Sequence, residues 1–139
     1  MEFAFEETVM LGADQAVGNT SIGGRNIVPI TGGTFEGDHL KGNIMPGGWD
    51  WQLLRTDGCR FLHADYMLKT EDGTVINVVN QGASCPNADG SRAPIRTMAV
   101  FEPPLGPYEW LGKSAFIGTL QAIQVDGKRA VHIRFYRVR

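Results

Sequence analysis

Turns marked by glycine follow one another at short intervals in this chain and leave room mainly for extended segments. Four such turns lie between Gly32 and Gly58, and the 139 residues include eighteen glycines and seven prolines. Glycine suits a strand reversal because it adopts positive φ without steric cost. Few stretches remain that support a helix of ordinary length. The spacing of the turns therefore predicts an all-β protein.

Strand-like segments occupy the intervals between the turns. Eight to ten short strands are typical of a sandwich or a barrel. Consecutive hairpins with Asp-Gly turns favour an antiparallel up-and-down β-barrel over residues 1–139 as a single domain, since closure removes exposed sheet edges. Gln81–Pro94 is predicted as the one long loop, either a lid or a mobile segment. The predicted strands are Glu2–Met10, Arg25–Phe35, Asp50–Arg55, Arg60–Thr70, Thr74–Asn80, Ile95–Phe101, Trp110–Ile123 and Ala130–Val138.

Composition excludes several functional classes. The net charge is −2 and the basic residues are scattered, so the basic patch of a nucleic-acid binder is missing. No segment has the length of a membrane span, and the acidic N-terminal segment is unlike a signal peptide. Cys59 and Cys85 lack zinc-site spacing. A disulfide between them is one alternative, but two ordinary thiols in a cytoplasmic chain are favoured.

An ordered series of motifs resembles a known family. It begins with Gly32-Gly33-x-Phe35-x-Gly37 and Pro46-Gly47-Gly48-x-Asp50-Trp51, and it continues to Tyr108-x-Trp110-Leu111. This series resembles the bacterial and fungal family numbered 3237 among the domains of unknown function. The resemblance implies a small lipocalin-like barrel, a homo-oligomer of two or more chains and a small organic ligand. It implies no particular reaction.

Asp50 is the first candidate for chemistry because it stands between Trp49 and Trp51. In the functional interpretation, Asp50 is a general acid or base in an apolar cavity, and Trp51 helps to form the wall. In the structural interpretation, Asp50 caps backbone N–H groups after the Gly47-Gly48 turn. Strand alternation sends both tryptophans to the face opposite Asp50, which weakens the picture of a carboxylate lined by indoles.

Arg96 and Glu102 are the second candidates, and they share one face of a predicted strand. An inward arginine could bind a carboxylate, phenolate or enolate oxygen. We therefore predict Asp50 and Arg96 as the core of a polar cluster in or at the mouth of the barrel. The alternative is a structural ion pair. Arg25 is a further substrate-binding candidate, although its strand could present it to either side.

Aromatic side chains complete the predicted site. Tyr66 falls in register with Leu62, Ala64 and Leu68, so it is expected to face the interior. Trp110 is expected to line the cavity near the final strands, although core packing would explain it equally well. No set of histidine or cysteine ligands has metal-site spacing, so no metal is expected.

Two functions remain open from the sequence. The first is a cofactor-independent lyase, isomerase or cyclase acting on a carbonyl or aromatic substrate, in which Asp50 moves the proton and Arg96 stabilises an oxyanion. The second is a carrier that binds a small ligand without reaction. No nucleotide, flavin or metal motif is present, so no cofactor is expected.

Overall fold

The computed structural model describes all 139 residues and consists almost entirely of β-strands, with one short 3₁₀-helix, Glu109–Lys113. The strands are β1 Glu2–Leu11, β2 Gln15–Thr20, β3 Gly23–Gly37, β4 Lys41–Ile44, β5 Gly48–Leu54, β6 Arg60–Thr70, β7 Val75–Ser84, β8 Ile95–Glu102, β9 Ala115–Val125 and β10 Lys128–Val138.

The strands close into an antiparallel barrel. From β6 to β10 each strand pairs with the next, and β10 pairs with β1. β1 pairs with β3, and β4 and β5 share the position between β3 and β6. β2 continues the position of β1 along β3. The ten strands therefore fill eight positions around the barrel, which confirms the predicted fold class.

One end of the barrel is filled by aromatic side chains. The rings of Phe5 and Phe135 lie 5.0 Å apart, and that of Phe101 packs edge-on against Phe135 at 5.3 Å. Leu111 of the 3₁₀-helix is buried against this cluster. Edge-to-face packing of this kind is favourable beyond the burial of apolar area alone. This end of the barrel is therefore closed, and empty space is left only toward the other end.

Two predicted boundaries differ from the structure by more than two residues. The strand predicted over Trp110–Ile123 begins only at Ala115, because the preceding residues form the 3₁₀-helix. The loop predicted over Gln81–Pro94 begins only after Ser84, because β7 stays paired with β6 and β8 beyond Asn80.

The prediction of two free thiols is also wrong, because Cys59 and Cys85 form a disulfide. The bond joins the turn before β6 to the residue after β7. Beyond it, Arg92 donates hydrogen bonds to the backbone oxygens of Ser84 (2.9 Å) and Gly58 (3.4 Å). The disulfide and Arg92 thus hold the loop 85–94 against the open end of the barrel.

Candidate functional site

A cavity of about 440 Å³ occupies the open half of the barrel. This volume falls in the range of pockets that bind small organic molecules. Most of the wall is apolar, with Val28, Ile30, Leu62 and Leu120 among its residues. The mouth lies at the end where β6, β8 and β10 begin, beside the loop 85–94. The remaining lining residues are polar or charged, and they bear on what the cavity could bind.

Asp50 lies on the cavity wall, as the functional interpretation requires. Its carboxylate accepts hydrogen bonds from Gln52 Nε2 (3.0 Å) and from the backbone N–H of His63 (3.1 Å). The second bond gives Asp50 a structural role, but it satisfies a backbone group of β6 and not one after the Gly47-Gly48 turn, as the structural interpretation predicted. Burial nevertheless raises the pKa of Asp50, although both hydrogen bonds lower it. Asp50 therefore combines a structural bond with a carboxylate suited to proton transfer.

Tyr66 borders the cavity on the side of the aromatic plug, and its interior position agrees with the strand alternation. Its hydroxyl donates a hydrogen bond to Oε1 of Glu7 from β1. Burial raises the pKa of Glu7 to about 8, although the bond from Tyr66 lowers it. Burial raises the pKa of Tyr66 as well, and the nearby Glu7 and Asp50 add to that rise. Both groups are therefore mostly protonated at neutral pH.

Further polar atoms on the inner wall have no partner within the chain. Asn80 Oδ1 and Thr97 Oγ1 are buried without a hydrogen bond, and so is Oε2 of Glu7. Asn80 and Thr97 line the cavity from the neighbouring strands β7 and β8. A buried polar group left unpaired costs about 1–3 kcal/mol. Two of these unpaired groups line the cavity, so this part of the wall is not optimised for stability.

The inward placement predicted for Arg96 and Glu102 is wrong. Both side chains are exposed on the outer wall, while Thr97, Ala99 and Phe101 of the same strand are buried. The reason is that Phe101 belongs to the aromatic plug, which fixes the inner face of β8. Arg96 donates only to the backbone oxygen of Ile95. Asp50 and Arg96 therefore lie on opposite sides of the wall and form no cluster.

The other three predicted binding residues also lie outside the cavity. Trp51 is 45% exposed on the outer wall, where the guanidinium of Arg25 lies 5.9 Å from its ring centroid. Trp110 belongs to the 3₁₀-helix at the closed end, and its ring packs 6.1 Å from that of Phe116. Of the predicted site residues, only Asp50 and Tyr66 meet in the cavity.

Glu7 and the arginines of the mouth are not among the site residues predicted from the sequence. Glu7 alternates along β1 with Phe5 and Val9, so these three side chains lie on the same face of the strand. This alternation alone predicts that Glu7 faces the interior. Arg60, Arg92 and Arg129 line the mouth together with Asp14. Their separation in the sequence left no comparable signal, because only the closure of the barrel brings them together.

No group of three or more histidine, cysteine, aspartate or glutamate side chains is arranged to hold a metal ion. The molecule also has no helix that is long and apolar enough to cross a membrane.

Comparison with known proteins agrees with this architecture. The profile of the family described as "Protein of unknown function (DUF3237)" matches residues 1–138. The chain belongs to this family. A UPF0311 protein of Rhodopseudomonas palustris is 31% identical over 130 residues, which cover 85% of each chain. One from Clostridium acetobutylicum is 26% identical over 145 residues, covering 96% of this chain and 86% of the relative.

Solved structures share the barrel across the whole chain. A β-barrel-like protein of Acinetobacter baumannii has a TM-score of 0.84 at 30% identity, covering 99% of this chain and 94% of its own. A structure described as an enzyme from Penicillium herquei has a TM-score of 0.71 at 20% identity, covering 96% of this chain and 92% of its own. At that identity the second likeness concerns the fold alone.

Proposed function

We propose that this protein is a cofactor-independent enzyme that moves a proton on a small organic substrate held in the barrel. The observation that carries the proposal is Asp50, a carboxylate with a raised pKa on the wall of a largely apolar cavity. A general base works best when its pKa approaches the working pH, and burial moves Asp50 in that direction. The reaction class is that of a lyase, isomerase or cyclase acting next to a carbonyl or an aromatic ring.

Tyr66 is the second group in the proposed mechanism. Its hydroxyl is neutral at physiological pH and is held by Glu7 on the side of the cavity away from the mouth. Tyr66 has one hydroxyl proton, so it can donate to a substrate oxygen only when the protonated carboxyl of Glu7 donates to the phenol oxygen instead. In that arrangement Tyr66 stabilises an oxygen that gains negative charge, which is the role predicted for Arg96 from the sequence. Glu7 does not line the cavity and acts in this scheme through Tyr66, as a positioning residue.

Exchange of substrate hydrogen with deuterated water tests the proposal. The purified protein is incubated in D₂O with a panel of aryl ketones and β-dicarbonyl compounds, and loss of the α-proton signal is followed by NMR. We expect exchange above the uncatalysed rate for at least one compound. Asp50→Asn should slow that exchange by about 10²–10⁴-fold, the usual contribution of a general base.

Asp65→Asn is the matched control, because Asp65 is exposed on the adjacent strand β6, outside the cavity. Its exchange rate should equal that of the wild type. An Asp50→Asn variant that folds and exchanges at the wild-type rate would contradict the role of Asp50.

A ligand carrier is the second candidate, favoured by the apolar wall and by the hydrogen bonds that already occupy Asp50. In a carrier, ligand would be recovered unchanged from every incubation. Asp50→Asn would then alter only affinity, by about tenfold or less, which corresponds to about 1.4 kcal/mol.

A cytoplasmic location stays a proposal, and the Cys59–Cys85 disulfide weighs against it, because such bonds persist mainly in oxidising compartments. Alkylation of free thiols in freshly lysed cells of the source organism distinguishes the two situations. Labelling of both cysteines supports the cytoplasm, whereas an unlabelled pair supports an oxidising compartment.

A further inference from the structure

The mouth of the cavity carries an excess of positive charge that the chain as a whole does not share. Acidic residues outnumber basic ones in the sequence, fifteen to thirteen. At the mouth the balance reverses, because Arg60, Arg92 and Arg129 stand there against Asp14. Asp50 is the other acid on the cavity wall, where Gln52 and the backbone N–H of His63 donate hydrogen bonds to it, so three arginines face two carboxylates. The charge at the mouth is therefore a local feature.

Two of the three arginines have no counter-ion. Arg129 donates to Asp14 Oδ1 at 2.7 Å, so these two charges offset each other. Arg92 donates only to backbone oxygens, which accept hydrogen bonds but carry no net charge. Arg60 takes part in no ion pair of the chain. Its charge acts on the mouth nonetheless, since it adds to the lowering of the pKa of Asp14 that the bond from Arg129 chiefly causes.

The rest of the cavity suits the apolar part of a ligand. Below the mouth the wall is formed largely by aliphatic side chains such as Val28, Ile30 and Leu62, and the aromatic plug closes the far end. Burial of apolar ligand surface supplies about 25 cal/mol per Å². A guanidinium at the entrance binds a carboxylate or sulfonate through paired hydrogen bonds. The two regions thus match the two ends of one amphipathic molecule.

We infer that the cavity binds an amphipathic organic anion, with its apolar body inside the barrel and its anionic group at Arg60 and Arg92. The inference rests on the proposed function, because it names the class of ligand for the same cavity. It does not depend on the chemistry of Asp50. Binding without turnover would support it while the proton-transfer proposal failed.

A matched pair of fluorescent compounds tests the inference. The anion is 1-anilinonaphthalene-8-sulfonate, and the neutral compound is N-phenyl-1-naphthylamine, which has the same rings without the sulfonate. Both are titrated into the full chain, and the increase in fluorescence gives each dissociation constant. We expect the anion to bind at least about tenfold more tightly, with an advantage that shrinks as salt concentration rises.

Single substitutions at the mouth should change the dissociation constants of the two compounds by different factors. Arg60→Gln should weaken binding of the anion about five- to tenfold and leave the neutral compound within about twofold. Asp14→Asn should strengthen binding of the anion, because it frees the charge of Arg129. Arg139→Gln, at the closed end and on the outside, is the control and should change neither constant. Ala64 lines the cavity, and a phenylalanine at this position would occupy part of its volume. Ala64→Phe should therefore weaken the binding of both compounds, which would show that they bind inside the barrel.

Three results would overturn the inference. The first is equal affinity of the wild type for the two compounds. The second is an equal loss of affinity for both compounds in Arg60→Gln, which would mean that Arg60 has a structural role. The third is evidence that the anion has no apolar site inside the barrel. That evidence would be an affinity that Ala64→Phe does not change, or the absence of any binding.

Discussion

Glu7 makes the stability of the protein depend on pH. Burial raises the pKa of this carboxyl from 4.5 to about 8. Between these values the folded chain keeps a proton that the unfolded chain releases, so the free energy of unfolding falls as pH rises through this window and levels off above it. At about 1.36 kcal/mol per pKa unit, the decrease is on the order of 3–5 kcal/mol.

Urea unfolding at about pH 5.5, 7 and 8.5 measures this decrease. Glu7→Gln has the shape of the protonated side chain and cannot ionise, so its stability should fall much less over the same range. Glu6→Gln is the control, since Glu6 lies on the outer wall beside Arg134. It should keep the wild-type slope. A Glu7→Gln variant with that same slope would refute the assignment.

Tyr66 packs closely against the backbone of Gly48, which leaves no room for a side chain at position 48. A Cβ at position 48 would lie 2.5 Å from Tyr66 Cβ and 2.8 Å from the backbone oxygen of Asp65. Gly48→Ala should therefore cost about 1–3 kcal/mol, as overpacking does, and lower the melting temperature by several degrees. Gly24→Ala is the matched control on β3, because its Cβ would meet only ordinary contacts. Equal melting temperatures for the two variants would count against this account.

The alternation of polar and apolar side chains predicted the inward position of Tyr66 correctly, but it did not show that Arg96 faces outward. On β6 the apolar residues Leu62, Ala64 and Leu68 lie on one face with Tyr66, so the buried side is evident from the sequence. On β8 both faces are mixed, because Met98 and Val100 accompany Arg96 on the outside. Only contact with the aromatic plug distinguishes the faces, and that contact comes from distant strands.

The Cys59–Cys85 disulfide links the start of the loop 85–94 to the turn before β6. The Cys59–Cys85 disulfide closes a segment with a sequence separation of 26. A loop of this length is stabilised by about 3–4 kcal/mol through the lowered entropy of the unfolded chain. We expect the Cys59→Ser/Cys85→Ser variant to unfold at a clearly lower urea concentration than the oxidised wild type.

The reducing agent dithiothreitol provides the control for that experiment. It should lower the stability of the wild type toward that of the double variant and leave the variant itself unchanged. Mass spectrometry without reduction should find the Cys59 and Cys85 peptides joined. Separate peptides would contradict the bond.

At the scale of elements, turn chemistry predicted the β-hairpins well and short strands poorly. The turn at Asp72-Gly73 is where the sequence indicated it, and the strands on both sides pair in register. β2 and β4 went unpredicted because they are short and have few apolar residues in alternation. Their pairing with β3 depends on the closed barrel, which local patterns do not encode.

The outer face of the molecule has an apolar surface around β8 that is suited to self-association. Met98 and Val100 on β8 are 61% and 68% exposed, and Ile117 and Val138 lie beside them on neighbouring strands. Exposed apolar groups of this kind are common at protein interfaces. We expect a homodimer that uses this surface, in keeping with the predominance of two-fold symmetric assemblies.

Light scattering after size exclusion at micromolar concentration measures the mass. Val100→Lys should convert the dimer to a monomer of 15.2 kDa. Val17→Lys is the control, because Val17 is similarly exposed on β2, away from the patch. A monomeric wild type would reject the interface. A dimer that survives Val100→Lys would place it elsewhere.

The aromatic plug leaves the barrel with a single entrance. Phe5, Phe101 and Phe135 close the far end, so a molecule must leave by the route through which it entered. In the proposed enzyme, the next substrate can therefore enter only after the previous product has left through the same opening. For a reaction with one substrate and one product, we therefore expect the product to inhibit by competition with the substrate. This geometry also suits one-substrate transformations better than the joining of two large molecules.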